Sequence, residues 1–139
     1  MVTVVASGYF DPIHSGHIEY LKLSKNLGDK LIVILNNQEQ CIIKKGNPFM
    51  PIEDKKSILN ELRCVDEVFI SIDKDSTVIK SLEFLKPDIF AKGGDRFSSE
   101  IPETAICKKL NIKIVDGLGK KIQSSSTLIN KLLRKTYKC

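Results

Sequence analysis

The chain has no tryptophan, only 2 histidines and 4 cysteines, and 6% aromatic side chains among its 139 residues. Its longest uninterrupted apolar run, Leu31 to Leu35, falls far short of the ~20 residues that a membrane-spanning helix needs. The opening Met1-Val2-Thr3-Val4-Val5-Ala6-Ser7-Gly8 lacks both the basic start and the extended apolar stretch of a signal peptide, so a cytoplasmic protein is expected. Cys41, Cys64, Cys107 and Cys139 are widely separated and form no C-x-x-C pair, which suits reduced thiols better than a zinc ribbon or a disulfide framework.

What is present is the make-up of a globular domain, with 42% hydrophobic and 28% charged residues. A chain this long buries roughly two-thirds of its unfolded surface and can hold one core without cross-links. Residues 1–139 are therefore expected to form a single domain. The 22 basic residues exceed the 17 acidic ones, giving a net charge of +5, which favours an anionic partner without choosing among phosphates, nucleic acid and a membrane surface.

Val2 to Ala6 reads as a strand ending at Ser7-Gly8, followed by a helix from Gly16 to Asn26 with Ile18, Leu21 and Leu27 at helical offsets. Lys30 to Asn36 is almost wholly apolar, as a strand buried on both faces must be. Residues 37–50 read as a polar, lysine-rich loop, and Pro51 suits the first turn of a helix carrying Ile52, Leu59 and Leu62. A strand over Val65 to Ile72 precedes a helix capped by Asp75 or Ser76, and a strand at Ile89 to Ala91 stops at Gly93-Gly94-Asp95. A helix from Glu100 to Leu110, a strand from Ile112 to Val115 and a helix from Ser125 to Lys135 complete the series. Strands alternating with helices imply right-handed crossovers, hence an α/β fold: a Rossmann-like, doubly wound, five-stranded parallel sheet with helices on both faces. No repeat, low-complexity tract or flexible linker divides it.

In such a sheet, ligands gather beyond the carboxyl ends of the strands, where strand order reverses. Three loops there are unusual: residues 8–17, residues 92–96 and residues 119–126. His14 and His17 lie three apart at the mouth of a helix, around Gly16. Free N–H groups and the helix dipole attract an anion at that place, and two imidazoles can donate to phosphoryl oxygens. A zinc site using Asp11 as well lacks a further Cys or His at ligand spacing, so no protein-held metal is expected. Ser124, Ser125 and Ser126 stand at a helix start, where one would suffice for capping. Lys44, Lys45, Lys55 and Lys56 can act as charge-assisted donors to the same anion, although either pair alone reads as solvated.

Gly8-Tyr9-Phe10-Asp11-Pro12-Ile13-His14-Ser15-Gly16-His17, the Gly93-Gly94-Asp95 turn and the Ser124-Ser125-Ser126 helix start together resemble the nucleotidyltransferase superfamily of small cytidylyltransferases. The His-x-Gly-His element is the specific part, and the resemblance runs over essentially the whole chain. Residues 85–95 are similar to the adenylyltransferase domain of the bifunctional heptose-phosphate enzyme, and the rest looks like glycerol-3-phosphate cytidylyltransferase. This implies an enzyme that transfers a nucleoside monophosphate, CMP ahead of AMP, from CTP or ATP to a small phosphorylated polyol, alcohol or sugar, releasing pyrophosphate. An adenylyltransferase making an ADP-sugar such as ADP-heptose is the alternative.

The resemblance assigns His14 and His17 to the triphosphate and the five-coordinate phosphorus, and Lys45, or Lys44, to orienting both substrates' phosphates. It makes Tyr9, Phe10, Asp11, Gly16, Lys55, Gly94, Asp95, Ser124, Ser125 and Ser126 nucleotide contacts. Mg2+ held mainly by the nucleotide phosphates, and a homodimer, are further implications. Two positions depart from the pattern: Lys120 and Lys121 stand where relatives often carry arginine, turning a bidentate clamp into a point charge, and Tyr9 replaces a more usual threonine. Outside this class stand a nucleic-acid-binding domain and a non-catalytic nucleotide sensor. The scarcity of aromatics among the basic residues argues against the first, and intact His14, Gly16 and His17 argue against the second.

Overall fold

A computed structural model describes residues 1–93 and 101–118. Strands β1 (Thr3–Gly8), β2 (Lys30–Leu35), β3 (Glu67–Ile70), β4 (Ile89–Gly93) and β5 (Lys113–Leu118) form one sheet in the order β3-β2-β1-β4-β5. Every pairing is parallel. Helices α1 (Ser15–Lys25), α2 (Gln38–Lys45), α3 (Ile52–Asn60), α4 (Ile79–Leu85) and α5 (Thr104–Lys109) connect them. The doubly wound architecture expected from the sequence is the one observed.

The unbroken apolar strands follow from burial on both sides. Val4 and Ala6 of β1, with Leu31, Val33 and Leu35 of β2, pack against Leu21 of α1 and Leu59 of α3. Their sequence neighbours Val5, Ile32 and Ile34 point the other way, to Leu82 of α4 and Cys107 of α5. Because side chains alternate across a strand, only a continuous apolar run can serve two helical layers. No helix among the described residues is long and apolar enough to cross a membrane.

Three features depart from the expected elements. The segment read as a loop over 37–50 contains α2, whose start is held by a reciprocal cap: Asn37 accepts from the Gln40 N–H at 2.9 Å, and Gln40 accepts from the Asn37 N–H at 3.0 Å. Its apolar residues are too few to reveal the helix by periodicity; the anchoring of Gln40 does the work that packing does elsewhere. Neither Asp75 nor Ser76 caps α4. Asp73 instead accepts from the backbone N–H groups of Lys80 and Ser81 at 2.7 and 3.0 Å, while Asp75 turns onto Thr77. Pro51 is the N-cap of α3 and not its first helical residue. The helix expected over 125–135 lies outside the described residues.

The chain winds outward from β1 through β2 to β3, then crosses back to place β4 on the other side of β1. Paired residues of β1 and β4 run only from Val4↔Ile89 to Ala6↔Ala91, and beyond that point the strands part. Tyr20 of α1 bridges the split: its hydroxyl donates to the Ala91 carbonyl at 2.5 Å and accepts from the Ser7 N–H at 3.3 Å. Burial pushes this phenol far above its usual range. Gly93 makes room for the ring, since a Cβ there would come within 2.9 Å of it. Tyr20→Phe leaves both backbone groups short of a partner in a buried place, which destabilises the fold by about 1–3 kcal/mol. Urea unfolding measures this directly, and an unchanged midpoint would contradict the bridging role.

Candidate active site

The loop that leaves β1 begins with Gly8, where a Cβ would press within 3.0 Å of the Phe10 ring. Phe10 takes a left-handed backbone conformation (φ 51°) and buries its ring almost completely. That ring meets His17 edge-on, with centroids 4.8 Å apart. On the opposite side His17 stacks on His14, centroids 3.8 Å apart and planes inclined by 21°.

The two histidines also start α1. His14 is its N-cap, with Nδ1 accepting from the Gly16 N–H at 3.1 Å, and His17 Nδ1 accepts from the His14 N–H at 3.2 Å. This is a capping box built from two imidazoles in place of the usual hydroxyl and carboxylate. A neutral imidazole that accepts at Nδ1 carries its proton on Nε2. The cap therefore fixes the tautomer as well as the position of each ring, and makes each Nε2–H a donor beside the positive end of α1.

Asp11 lies within the same loop and is buried. Its Oδ2 accepts from the Phe49 N–H at 2.8 Å and its Oδ1 from the Met50 N–H at 2.7 Å. Lys55 Nζ stands 3.8 Å from Oδ1, with both side chains 2% exposed, and Cys41 Sγ is 3.6 Å from Oδ2. A carboxylate taken from water needs this many partners. Asp11 and Lys55, both expected as nucleotide contacts, are brought to each other, where they hold the segment between α2 and α3 against the first loop. Among the described residues no three His, Cys, Asp or Glu side chains gather as a metal cage requires.

Beyond the carboxyl ends of β1, β2 and β4 opens a cavity of about 460 Å³, bordered by Gly8, Tyr9, Asn36, Lys44, Lys92 and Glu103 among others. Lys44 Nζ lies 5.0 Å from the centre of the Tyr9 ring, within cation–π range. The position of Lys44 depends on Gln40, one turn earlier and fully buried. Gln40 Nε2 donates to the carbonyls of Asp75 and Thr77 at 2.6 and 2.8 Å, and its Oε1 accepts from Asn36 Nδ2 at 3.1 Å. This network ties α2 to the segment before α4 and fixes one wall of the cavity.

Thus Tyr9 and Lys44 border the cavity, His14, Gly16 and His17 form the helix mouth, and Phe10 supports it from below. Lys45 ends α2, and its side chain lies outside the described set. Gly94, Asp95, Ser124, Ser125 and Ser126, with Lys120 and Lys121, also lie outside the described residues. Tyr20, Gln40 and Glu103 carry structural weight that the sequence reading missed. Tyr20 sits beside the apolar stripe of its helix, Gln40 belongs to a segment read as a loop, and Glu103 follows Pro102 where an acidic residue reads as an ordinary helix start.

With this geometry in view, likeness to known proteins becomes informative. Residues 5–132 match the family described as Cytidylyltransferase-like. An FAD synthase of Pyrococcus horikoshii is 41% identical over 96 residues, covering 68% of this chain and 64% of its own length. The bifunctional protein HldE of Hahella chejuensis is 34% identical over 129 residues, which is 91% of this chain and 25% of that protein. The chain thus spans less than two thirds of either relative. The crystal structure of the lipopolysaccharide core biosynthesis protein from Thermoplasma volcanium superposes with a TM-score of 0.73 at 31% identity, over 86% of this chain and 98% of that one.

The buried pair yields a stability prediction. Asp11→Asn strands the Lys55 ammonium in the interior, and Lys55→Met strands the Asp11 carboxylate, so each single change destabilises by about 3–5 kcal/mol. The double variant, which removes both charges, loses clearly less than the sum. Additive losses in denaturant unfolding would show that the two groups do not act as a pair.

Proposed function

The chain belongs to the cytidylyltransferase-like family, and from that premise we propose that it transfers a nucleoside monophosphate, AMP ahead of CMP, to the phosphate of a small acceptor. The observation that carries this reading is the stacked His14–His17 pair at the start of α1, each ring held at Nδ1 by a backbone donor. An acceptor phosphate oxygen attacks the α-phosphorus of the triphosphate, the bond from that phosphorus to the β-phosphate oxygen breaks, and pyrophosphate leaves with the bond's electrons. No covalent enzyme intermediate is needed. The Nε2–H groups of His14 and His17 donate to charge that builds on phosphoryl oxygens in the five-coordinate state, adding to the field of the helix end. Fixed rings act without reorganising, which is where most of such an effect arises.

The sequence reading ranks CTP first, and the relatives support the opposite order. FAD is built from a flavin mononucleotide and an adenylyl group, and the names of both curated relatives point to adenylyl chemistry: FAD synthase directly, and HldE as the bifunctional heptose enzyme whose adenylyltransferase domain the sequence resembles. Lys44 is proposed to meet a substrate phosphate from α2, with Lys45 its neighbour in the same task. Magnesium is proposed to arrive on the triphosphate as part of the substrate, supplying charge neutralisation to the leaving pyrophosphate. A cytoplasmic homodimer completes the reading by resemblance, and a dimer mass by light scattering is the expected result.

Alanine at either histidine would confound the test, because it also removes a helix cap. His14→Asn preserves an N-cap acceptor and His17→Gln an acceptor at the third helical position. Each is expected to keep the melting temperature within a few degrees while lowering turnover by ~100-fold or more. ATP with magnesium is expected to raise the wild-type melting temperature more than CTP does, since a ligand that binds only the native state stabilises it. Turnover unchanged in both variants would overturn the roles given to the rings, and a larger shift with CTP would restore the original order.

A further inference from the structure

The cavity beside the histidine loop holds side chains of both signs. Lys44 and Lys92 share its lining with the carboxylate of Glu103, and Ser7, Asn36 and Ser76 add neutral hydrogen-bonding groups. Glu103 is 5% exposed. Its Oε1 accepts from the Val78 N–H at a long 3.3 Å. The ion pairs Lys25–Asp66, Lys30–Glu67 and Lys55–Asp11 do not involve Glu103. A carboxylate offers about four acceptor positions; one protein donor occupies a single position on Oε1, and the others are available on the side that lines the cavity. Burial raises the neighbouring Cys107 thiol to about 11, with the Glu103 charge as the second cause.

We propose that Glu103 is the specificity-determining residue of the acceptor site, and that it selects a polyhydroxylated phosphate, a sugar or polyol phosphate, by accepting hydrogen bonds from its hydroxyls. The proposal rests on the nucleotidyl-transfer reading and deepens it. Lys44 and Lys92 supply the positive charge for the phosphate end, and Asn36 and Ser76 supply partners for further hydroxyls. A flat aromatic acceptor such as a flavin needs apolar walls. The described lining offers only Tyr9, Val78 and Pro102 for that purpose; flavin mononucleotide would meet Glu103 through its ribityl hydroxyls and leave its ring against a largely polar lining. An amino-alcohol phosphate would satisfy Glu103 with its ammonium, but that ammonium would share the cavity with two lysines.

The test uses pyrophosphate release with whichever triphosphate binds best, across a sugar 1-phosphate, a polyol phosphate, flavin mononucleotide and phosphoethanolamine. Glu103→Gln keeps an oxygen for the Val78 N–H and nearly the same volume, removes the charge and replaces the second accepting oxygen with an amide NH2 that donates. Hydroxyl-rich phosphates are expected as substrates. The variant is expected to raise their KM about tenfold or more, with the KM for the triphosphate unchanged and the melting temperature no lower than the wild type's, since a buried charge is removed. A deoxy analogue of the best acceptor should be penalised by the wild type and far less by the variant. A preference for flavin mononucleotide or phosphoethanolamine, or equal effects of the variant on both substrates' KM, overturns the proposal while leaving nucleotidyl transfer standing. If no triphosphate raises the melting temperature and none releases pyrophosphate, both readings fall.

Discussion

Everything at the carboxyl end of this sheet depends on the place where β1 and β4 cease to be neighbours. Two parallel strands that diverge leave an N–H and a carbonyl without ladder partners, and a buried backbone group in that state is destabilising. Tyr20 supplies both a donor and an acceptor through one hydroxyl, spanning Ser7 and Ala91. The opening is therefore held apart by a satisfied bridge, and a ligand can enter without competing for unpaired backbone. Because Tyr20 belongs to α1, the helix whose mouth carries the histidines is fixed to the same split.

The residues around that split do double duty. His14 and His17 cap α1, so the hydrogen bonds that stabilise the helix also set the rings' tautomer and orientation. A serine and a glutamate would cap as well, but neither would present a pair of N–H donors to an anion. On the function proposed above, the capping box is a case in which local stability and chemistry select the same side chains. Asp11 and Lys55 carry a different burden. Their buried pair adds little net stability by itself, yet it joins the histidine loop to the segment leading into α3, so that α2 and its Lys44 are held from both ends.

Polar anchoring continues on the other side of the cavity, where Gln40 satisfies four groups from two segments and Asp73 gathers Ser71, Lys80 and Ser81. Such fully partnered networks rigidify a wall without presenting unpaired groups to a ligand. Glu103 stands out against this background as a largely buried carboxylate with one long protein hydrogen bond, from the Val78 N–H. Asp11, surrounded by donors, holds two segments of the protein together, whereas Glu103 lines the cavity with that one long bond.

The sequence by itself determined the sheet and its winding. Leu31 to Leu35 and Val4 to Ala6 could only be strands covered on both faces, and alternation of strands with helices left one handedness of crossover. It also marked where chemistry is expected, because His14-Ser15-Gly16-His17 follows a strand and opens a helix. What it could not reveal was α2, since a helix held by Gln40 has little apolar period to display, or the roles of Tyr20, Asp73 and Glu103. Tyr20 and Glu103 find their partners far away in the chain, 71 residues to Ala91 and 25 to Val78, and Asp73 finds its own 7 and 8 residues on, across the turn into α4. Local spacing encodes the direction of a side chain within its own element; only the packed sheet decides which backbone group waits at its end. Lys55 shows the same division, since a lysine pair on a helix face reads as solvated, and only tertiary structure buries Lys55 against Asp11.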